Sequence, residues 1–313
     1  MNLTDIQSAE IAAQCETSAV TRRATVPALE AMLYRAIPLL DHGLLRVIDY
    51  MGDDAAIVQA ARVSYGRGTR VVSEDAGLIR YLMRHRHSTP FEMCEIKYHV
   101  KLPIFVARQW IRHRMASVNE YSARYSVMER EFYIPAPEHL AAQSAVNRQG
   151  RGAVLQGAEA DQVLALLRDD ATRNYDHYAQ MLNETADGTV ADDSRQGLAR
   201  ELARMNLTLN TYTQWYWKTD LHNLFNFCTL RADPHAQYEI RVYADAMLDT
   251  VRAWVPLAYA AFQDYRQGAV SLSAPMLAAL RRMLAGEVLD QAASKLSKRE
   301  WTEFTEILRG DPA

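Results

Sequence analysis

The chain has 313 residues, 49% of them hydrophobic and 23% charged, which is globular composition with ample material for a large core. A net charge of −3 provides no global basic field of the kind that drives non-specific nucleic-acid binding, so any anion site must be local. Cys15, Cys94 and Cys228 are widely spaced and in no CxxC pair, which argues against a disulfide scaffold or a zinc cluster. The N-terminus lacks a basic region followed by an apolar one, and no apolar run approaches membrane-spanning length, so a cytoplasmic protein is expected.

Residues 1–42 lack strong periodicity and read as an extension, partly helical around "VPALEAML". "LLRVIDYMG" reads as a strand, and "DDAAIVQAARVSYG" as a short helix stopped by Gly66 and Gly68. Ser73 is expected to cap a helix with Glu74 and Asp75 in its first turn and Leu78, Ile79, Leu82 and Met83 at helical spacing. Pro90 biases Thr89 away from helical geometry and should break that helix at "HSTPFE". "CEIKYHVK" alternates strictly, with Cys94, Ile96, Tyr98 and Val100 on one face of a half-buried strand.

Pro103 is expected to open a helix over "PIFVARQWIRHR", which then runs into an extended "EYSARYSV". Residues 140–160 are rich in Ala, Gln and Gly and read as a mobile insertion. Helical patterns resume at 160–185 and 193–206, followed by a strand-like "LTLNTYTQWYW". Asp220 can cap "LHNLFNFCTLR", a long helix is expected from His235 to about Trp254, and Ser273 and Ser297 cap two more in the tail. Helices dominate over a few strands, which makes the fold class α+β.

Common chemical signatures are missing: no GxGxxG follows a strand, and there is no GxxxxGK[ST] and no HExxH. His85 and His87, two apart, would not share a helix face as metal ligands; basic residues at a helix end are the simpler reading. "WYWK" at 215–218 could stack on bases but reads better as core. Ser122 has no GxSxG elbow around it and reads as a hydrogen-bond donor to a ligand. What remains is a set of spaced segments, each with arginine plus amide or hydroxyl groups: 87–92, 108–126, 203–207 and 222–240. Arginine's planar fork suits phosphate, and amides suit heterocycle edges, so the pattern points to a phosphorylated heterocyclic ligand, or two.

"RHRMASVNEYS" (112–122), an Arg-His-Arg followed after seven residues by Ser, resembles the signature of the flavin-dependent thymidylate synthases. The resemblance runs from "AARVSYG" through "HSTPFEM" and "ARQWIRHR" to "NFCTLRADPHAQYEIR". It implies a single catalytic domain over 43–265 with a mixed or antiparallel sheet flanked by helices, the insertion at about 140–160, and a helical tail over 266–313. It also implies a homotetramer with shared sites that converts dUMP to dTMP, using FAD reduced by NADPH and methylenetetrahydrofolate as carbon donor.

Carried over by position, the resemblance assigns FAD binding to His87, Thr89, Glu92, Arg112, His113, Arg114, Met115, Glu120, His222 and Asn226. It assigns dUMP to Gln109, Arg112, Glu120, Ser122, Ala123, Arg124, Arg204 and Arg231. Arg231 is similar to the arginine that faces the uracil ring, where a fixed cation would stabilise negative charge on the ring. Asp220 takes a position that is asparagine in some members, and His235 is a nearby family position; both stay open between ligand contact and local capping.

Overall fold

The computed structural model describes residues 5–63, 72–145, 150–185 and 188–310, with residues 72–74 in backbone only. Two compact units emerge, Met1–Ala261 and Phe262–Ala313. In the first, β1 (Ile37–Leu39), β2 (Gly43–Met51), β3 (Glu95–Pro103), β4 (Ser117–Glu120) and β7 (Tyr212–Asp220) form one antiparallel sheet. Their order is β1-β2-β3-β7-β4. This is the α+β architecture expected from the sequence.

Alternation in β3 does what the pattern requires: Ile96, Tyr98, Val100 and Leu102 are buried against the helix Tyr238–Trp254. That helix buries Ile240, Tyr243, Ala244, Met247, Val251 and Trp254, one stripe at 3.6-residue spacing. Two polar bonds fix its register on the sheet. The Tyr98 and Thr250 hydroxyls lie 2.6 Å apart, and Tyr243 donates to the Lys101 carbonyl at 2.7 Å. Helix and strand approach so closely that a Cβ on Gly43 would fall 2.2 Å from the Tyr243 hydroxyl.

Trp215 and Trp217 belong to this core, packed with Trp110 and Phe227, while Tyr216 faces the other way onto His99. The base-stacking alternative for "WYWK" therefore has only Tyr216 to offer. The opposite sheet face is polar yet largely covered. Arg46 donates to His99 Nδ1 at 2.9 Å, His99 Nε2 meets Gln214 Oε1 at 3.0 Å, and Lys101 pairs with Glu129 and Glu131. The N-terminal helix Asp5–Glu16 reaches this face through Gln14, which accepts from Arg46 at 3.0 Å.

Several elements differ from expectation. The helix opened by Pro103 covers only Ile104–Trp110, because the His113 amide closes a tight turn on the Trp110 carbonyl. The extended stretch that follows is Ser117–Glu120, and "EYSARYS" forms a turn closed by the Tyr125 and Ser126 amides on the Ser122 carbonyl. The helix Val72–Arg84 ends before "HSTPFE" as expected, but Thr89–Glu92 is itself a helical turn, with Pro90 in its first positions, between that helix and β3. The 140–160 region contains a hairpin of β5 (Ala141–Gln143) and β6 (Arg151–Val154) before the helix Gly157–Leu182. Of 193–206, only Arg200–Ala203 and a 3-10 turn at Arg204–Asn206 are helical. Gly66 and Gly68, expected to stop the helix Asp54–Val63, lie outside the described residues, as does the side chain of Ser73; its helix begins at Val72.

The second unit has its own core, Met276, Ala279, Leu289, Leu296 and Phe304, under partly buried Leu280 and Trp301. Ser273 accepts from the Met276 amide and Ser297 completes a capping box with Glu300, as read from the sequence. Among the described residues no helix is long and apolar enough to cross a membrane.

Candidate active site

The signature segment occupies the edge of the sheet. Past Trp110 the chain turns through Arg112, His113 and Arg114 and enters β4, which pairs with β7 on one side only. Thr219 of β7 holds the turn by donating to the Met115 carbonyl at 2.9 Å. Arg112 and Arg114 are exposed, and neither has a carboxylate partner among the described residues. All four β4 residues are exposed, as are Met115 (71%) and Tyr125 (77%). Glu120 points to the helical side of the sheet and accepts from the Thr213 hydroxyl at 2.8 Å.

Beside this edge lies the C-terminus of the helix Leu221–Arg231. Arg231 Nε donates to His113 Nε2 at 3.1 Å, and the His113 ring packs edge-on to Phe227 at 4.9 Å. Burial, reinforced by the Arg231 charge, pulls the His113 imidazole down to about 4, so it is neutral with its proton on Nδ1. Burial also lowers the Arg231 guanidinium from its usual value, although it stays charged. Gln109, the last residue but one of its helix, has a buried Oε1 without a hydrogen-bond partner among the described residues.

A second group forms where 122–126 meets the turn at 200–206. Arg124 pairs with Glu201 at 3.0 Å, and Arg204 Nε donates to the Glu201 carbonyl at 3.3 Å. Ser122 Oγ accepts from the Arg124 amide at 3.3 Å, with no histidine or carboxylate hydrogen-bonded to it among the described residues, and Ala123 packs partly buried against the cluster that contains Tyr178. A third group joins the 87–92 turn to the start of the helix Leu221–Arg231, with Phe91 packed on Phe225 at 6.4 Å. Thr89 and His87 are exposed there and Glu92 is half-buried. His222 Nε2 meets Asn226 Nδ2 at 3.2 Å one helical turn away.

Asp220 is used as the helix cap, accepting from the Asn223 amide at 2.9 Å and its side-chain nitrogen at 2.7 Å. His235 is exposed and tied to Asp233, 3.1 Å from Nδ1. His85 and His87 do share a neighbour, because the chain turns at Arg86 (φ 60) and brings both rings to Tyr81, 4.3 and 5.8 Å away.

A family model described as thymidylate synthase complementing protein matches residues 46–257. A flavin-dependent thymidylate synthase of Ruegeria pomeroyi is 66% identical over 308 residues, 98% of this chain and 99% of the relative. One of Gluconobacter oxydans is 64% identical over 310 residues, 99% of each. The chain belongs to the flavin-dependent thymidylate synthase family.

Its fold is also that of a solved UMP/dUMP methylase, PolB from Streptomyces cacaoi bound with 5-Br dUMP. The TM-score is 0.63 at 30% identity, covering 74% of this chain and 99% of that one. For a family whose members use a flavin, the donors present here are of the right kind. Arg112 and Arg114 offer uncompensated guanidinium groups for a pyrophosphate, and Asn226 and the orphaned Gln109 Oε1 offer amide edges for heterocycles. The reading by sequence alone passed over Arg200, Glu201 and Glu184, which organise the second group. The spacing of Arg200 and Arg204, four apart in "RELAR", was the signal that could have found the first of them.

Proposed function

We propose that the protein catalyses the reductive methylation of dUMP to dTMP with methylenetetrahydrofolate as carbon donor and NADPH as reductant, leaving tetrahydrofolate. Residues 43–265 carry the catalysis. Reduced FAD, when bound, supplies the hydride that turns the transferred methylene into a methyl group. Arg112, His113, Arg114 and Met115 would hold the flavin together with His87, Thr89, Glu92, His222 and Asn226, and Glu120 would serve both flavin and nucleotide. Ser122, Ala123, Arg124, Arg204 and Gln109 hold dUMP.

The observation that carries this reading is the Arg231–His113 bond, which fastens a half-buried cation to the signature itself. A cation held beside the uracil stabilises the negative charge that builds on the ring as C5 attacks the methylene carbon. His113, neutral and accepting, orients the guanidinium without adding a competing charge. The exposed β4 edge, with Met115 and Tyr125, supports assembly into a homotetramer whose neighbouring subunits complete the site. A cytoplasmic location fits the three unpaired cysteines.

The test is dTMP formation by purified, FAD-reconstituted protein given NADPH and methylenetetrahydrofolate, with and without dUMP. dTMP with tetrahydrofolate as co-product is the expected result. NADPH oxidation without dTMP would instead identify a flavin reductase, and strong salt-dependent RNA binding with no flavin would point to a binding protein.

A further inference from the structure

The turn 122–126, assigned above to the nucleotide, is held from beneath by a residue outside that assignment. The chain leaves the helix Gly157–Leu182 through Asn183, buried in the left-handed conformation (φ 57), whose side-chain Nδ2 donates to the carbonyls of Asp192 and Arg195 at 2.7 and 2.9 Å. Gly197 (φ 72) then passes so near the helix end that a Cβ would fall 2.3 Å from the Leu182 carbonyl oxygen. The Leu198 amide donates to the Met181 carbonyl at 2.6 Å. These bonds deliver Arg200 to a fixed place.

Arg200 makes two contacts there. Its Nε pairs with Glu184 Oε2 at 2.7 Å, each side chain 27% exposed, and its Nη1 donates to the Tyr125 carbonyl at 2.5 Å, 75 residues away in the chain. The ends of the same arm are held by tyrosines. Tyr121 donates to the Val127 carbonyl at 3.0 Å, Tyr178 accepts from the Met128 amide at 3.1 Å, and Tyr175 donates to the Met128 carbonyl at 2.6 Å. The apex of the arm is thus tied by Arg200, whose planar fork reaches a carboxylate and a carbonyl together.

We propose that Arg200 is a positioning residue for the nucleotide phosphate site. It touches no substrate; it sets where Ser122 and Arg124 stand, with Glu184 fixing its guanidinium. The inference rests on the assignment of that turn to dUMP. Without the tie, the Ser122 hydroxyl and the Arg124 guanidinium sample several positions, and the phosphate must order them on binding. The cost falls on dUMP affinity and not on the flavin side of the signature.

The experiment compares Arg200→Ala, Arg200→Lys and Arg124→Ala as full-length, FAD-reconstituted proteins. KM for dUMP, KM for methylenetetrahydrofolate, kcat, flavin content and melting temperature are read for each. Arg200→Ala is expected to raise KM for dUMP roughly tenfold, with kcat changed less than about threefold and flavin content unchanged. Arg200→Lys, able to reach one partner at a time, falls between. An unchanged dUMP KM in Arg200→Ala overturns the proposal, as does a joint fall of kcat, flavin content and melting temperature in both Arg200 variants. If Arg124→Ala raises KM for dUMP while Arg200→Ala does not, the dUMP assignment stands and this inference alone fails. If Arg124→Ala leaves that KM unchanged, the assignment fails and the inference with it.

Discussion

Arg231 donates to His113 across 118 residues of chain, and the acceptor is an imidazole in place of a carboxylate. A carboxylate would orient the guanidinium equally well but would cancel its charge. A neutral imidazole orients it and leaves the full positive charge for the ligand. The low pKa of His113, set first by burial and then by Arg231, is what makes the arrangement self-consistent: a protonated ring could not accept this bond.

Replacing Arg231 by lysine should therefore leave FAD bound and remove most turnover, roughly 100-fold or more in kcat. A lysine is a point charge on a flexible stem and loses the bond to His113 that fixes direction. The check is flavin content by absorbance beside kcat at saturating dUMP. Near-normal turnover with intact flavin would sink the assignment of Arg231.

The imidazoles also predict a pH profile. His113 and His99 are both pulled from 6.5 to about 4, by burial first and then by neighbouring arginines, Arg231 and Arg46 respectively. Between those values the unfolded chain binds protons on these rings that the folded chain refuses. The two rings should therefore lower stability progressively as pH drops from 6.5 to about 4, with no further loss from them below that and no pH dependence from either ring above 6.5. Melting temperature followed across that window should show the decline. His99→Gln, which can still accept from Arg46, should make the slope shallower; an identical slope in that variant would rule out His99 as a contributor.

What the sequence made legible was whatever local chemistry decides. The alternation of β3, the Asp220 cap and the caps at Ser273 and Ser297 each rest on residues within a few positions of one another. Nothing local marks Trp110 as the end of its helix, since Ile111 continues the apolar period, and the stop comes from the turn that carries His113 to Arg231. The hairpin at 141–154 has no alternation to read, and β1 is three residues long with a central proline. In the site, the Arg-His-Arg and Glu-Tyr-Ser-Ala-Arg stretches were visible because their residues are contiguous. Arg200 was not, because it acts on a backbone carbonyl that any residue at 125 would supply.

Ser122 tests whether a hydroxyl in the signature is a nucleophile. Its Oγ accepts from the Arg124 amide in a short turn, and among the described residues no histidine or carboxylate is hydrogen-bonded to it that could remove its proton. Ser122→Ala should keep measurable dTMP formation with a raised KM for dUMP. Complete loss of turnover with dUMP still bound would restore the nucleophile.

The hairpin of β5 and β6 makes one bond whose loss should be costly. Glu239 is 3% exposed at the first turn of the helix Tyr238–Trp254, where Tyr133 donates to it at 3.0 Å and Arg151 of β6 pairs with it. Burial alone would push the Glu239 carboxyl up, but the Arg151 guanidinium first, and then the Gln237 side-chain amide donating at 3.0 Å and a backbone N–H, hold it below the usual carboxylate value. The same arginine donates to the His139 carbonyl at 3.3 Å, and the His139 ring stacks on Tyr238 at 3.6 Å, so the hairpin and the helix start share one clamp. Arg151→Ala strands a buried negative charge and should cost about 2 kcal/mol or more, less than for a fully buried pair because Arg151 is itself 38% exposed. Glu239→Gln in the same background removes the stranded charge and should recover part of that loss, whereas Glu239→Gln alone should cost less than Arg151→Ala. Denaturant unfolding of the three variants measures both differences. Equal stability of Arg151→Ala and the parent would mean that solvent, and not the hairpin, neutralises Glu239.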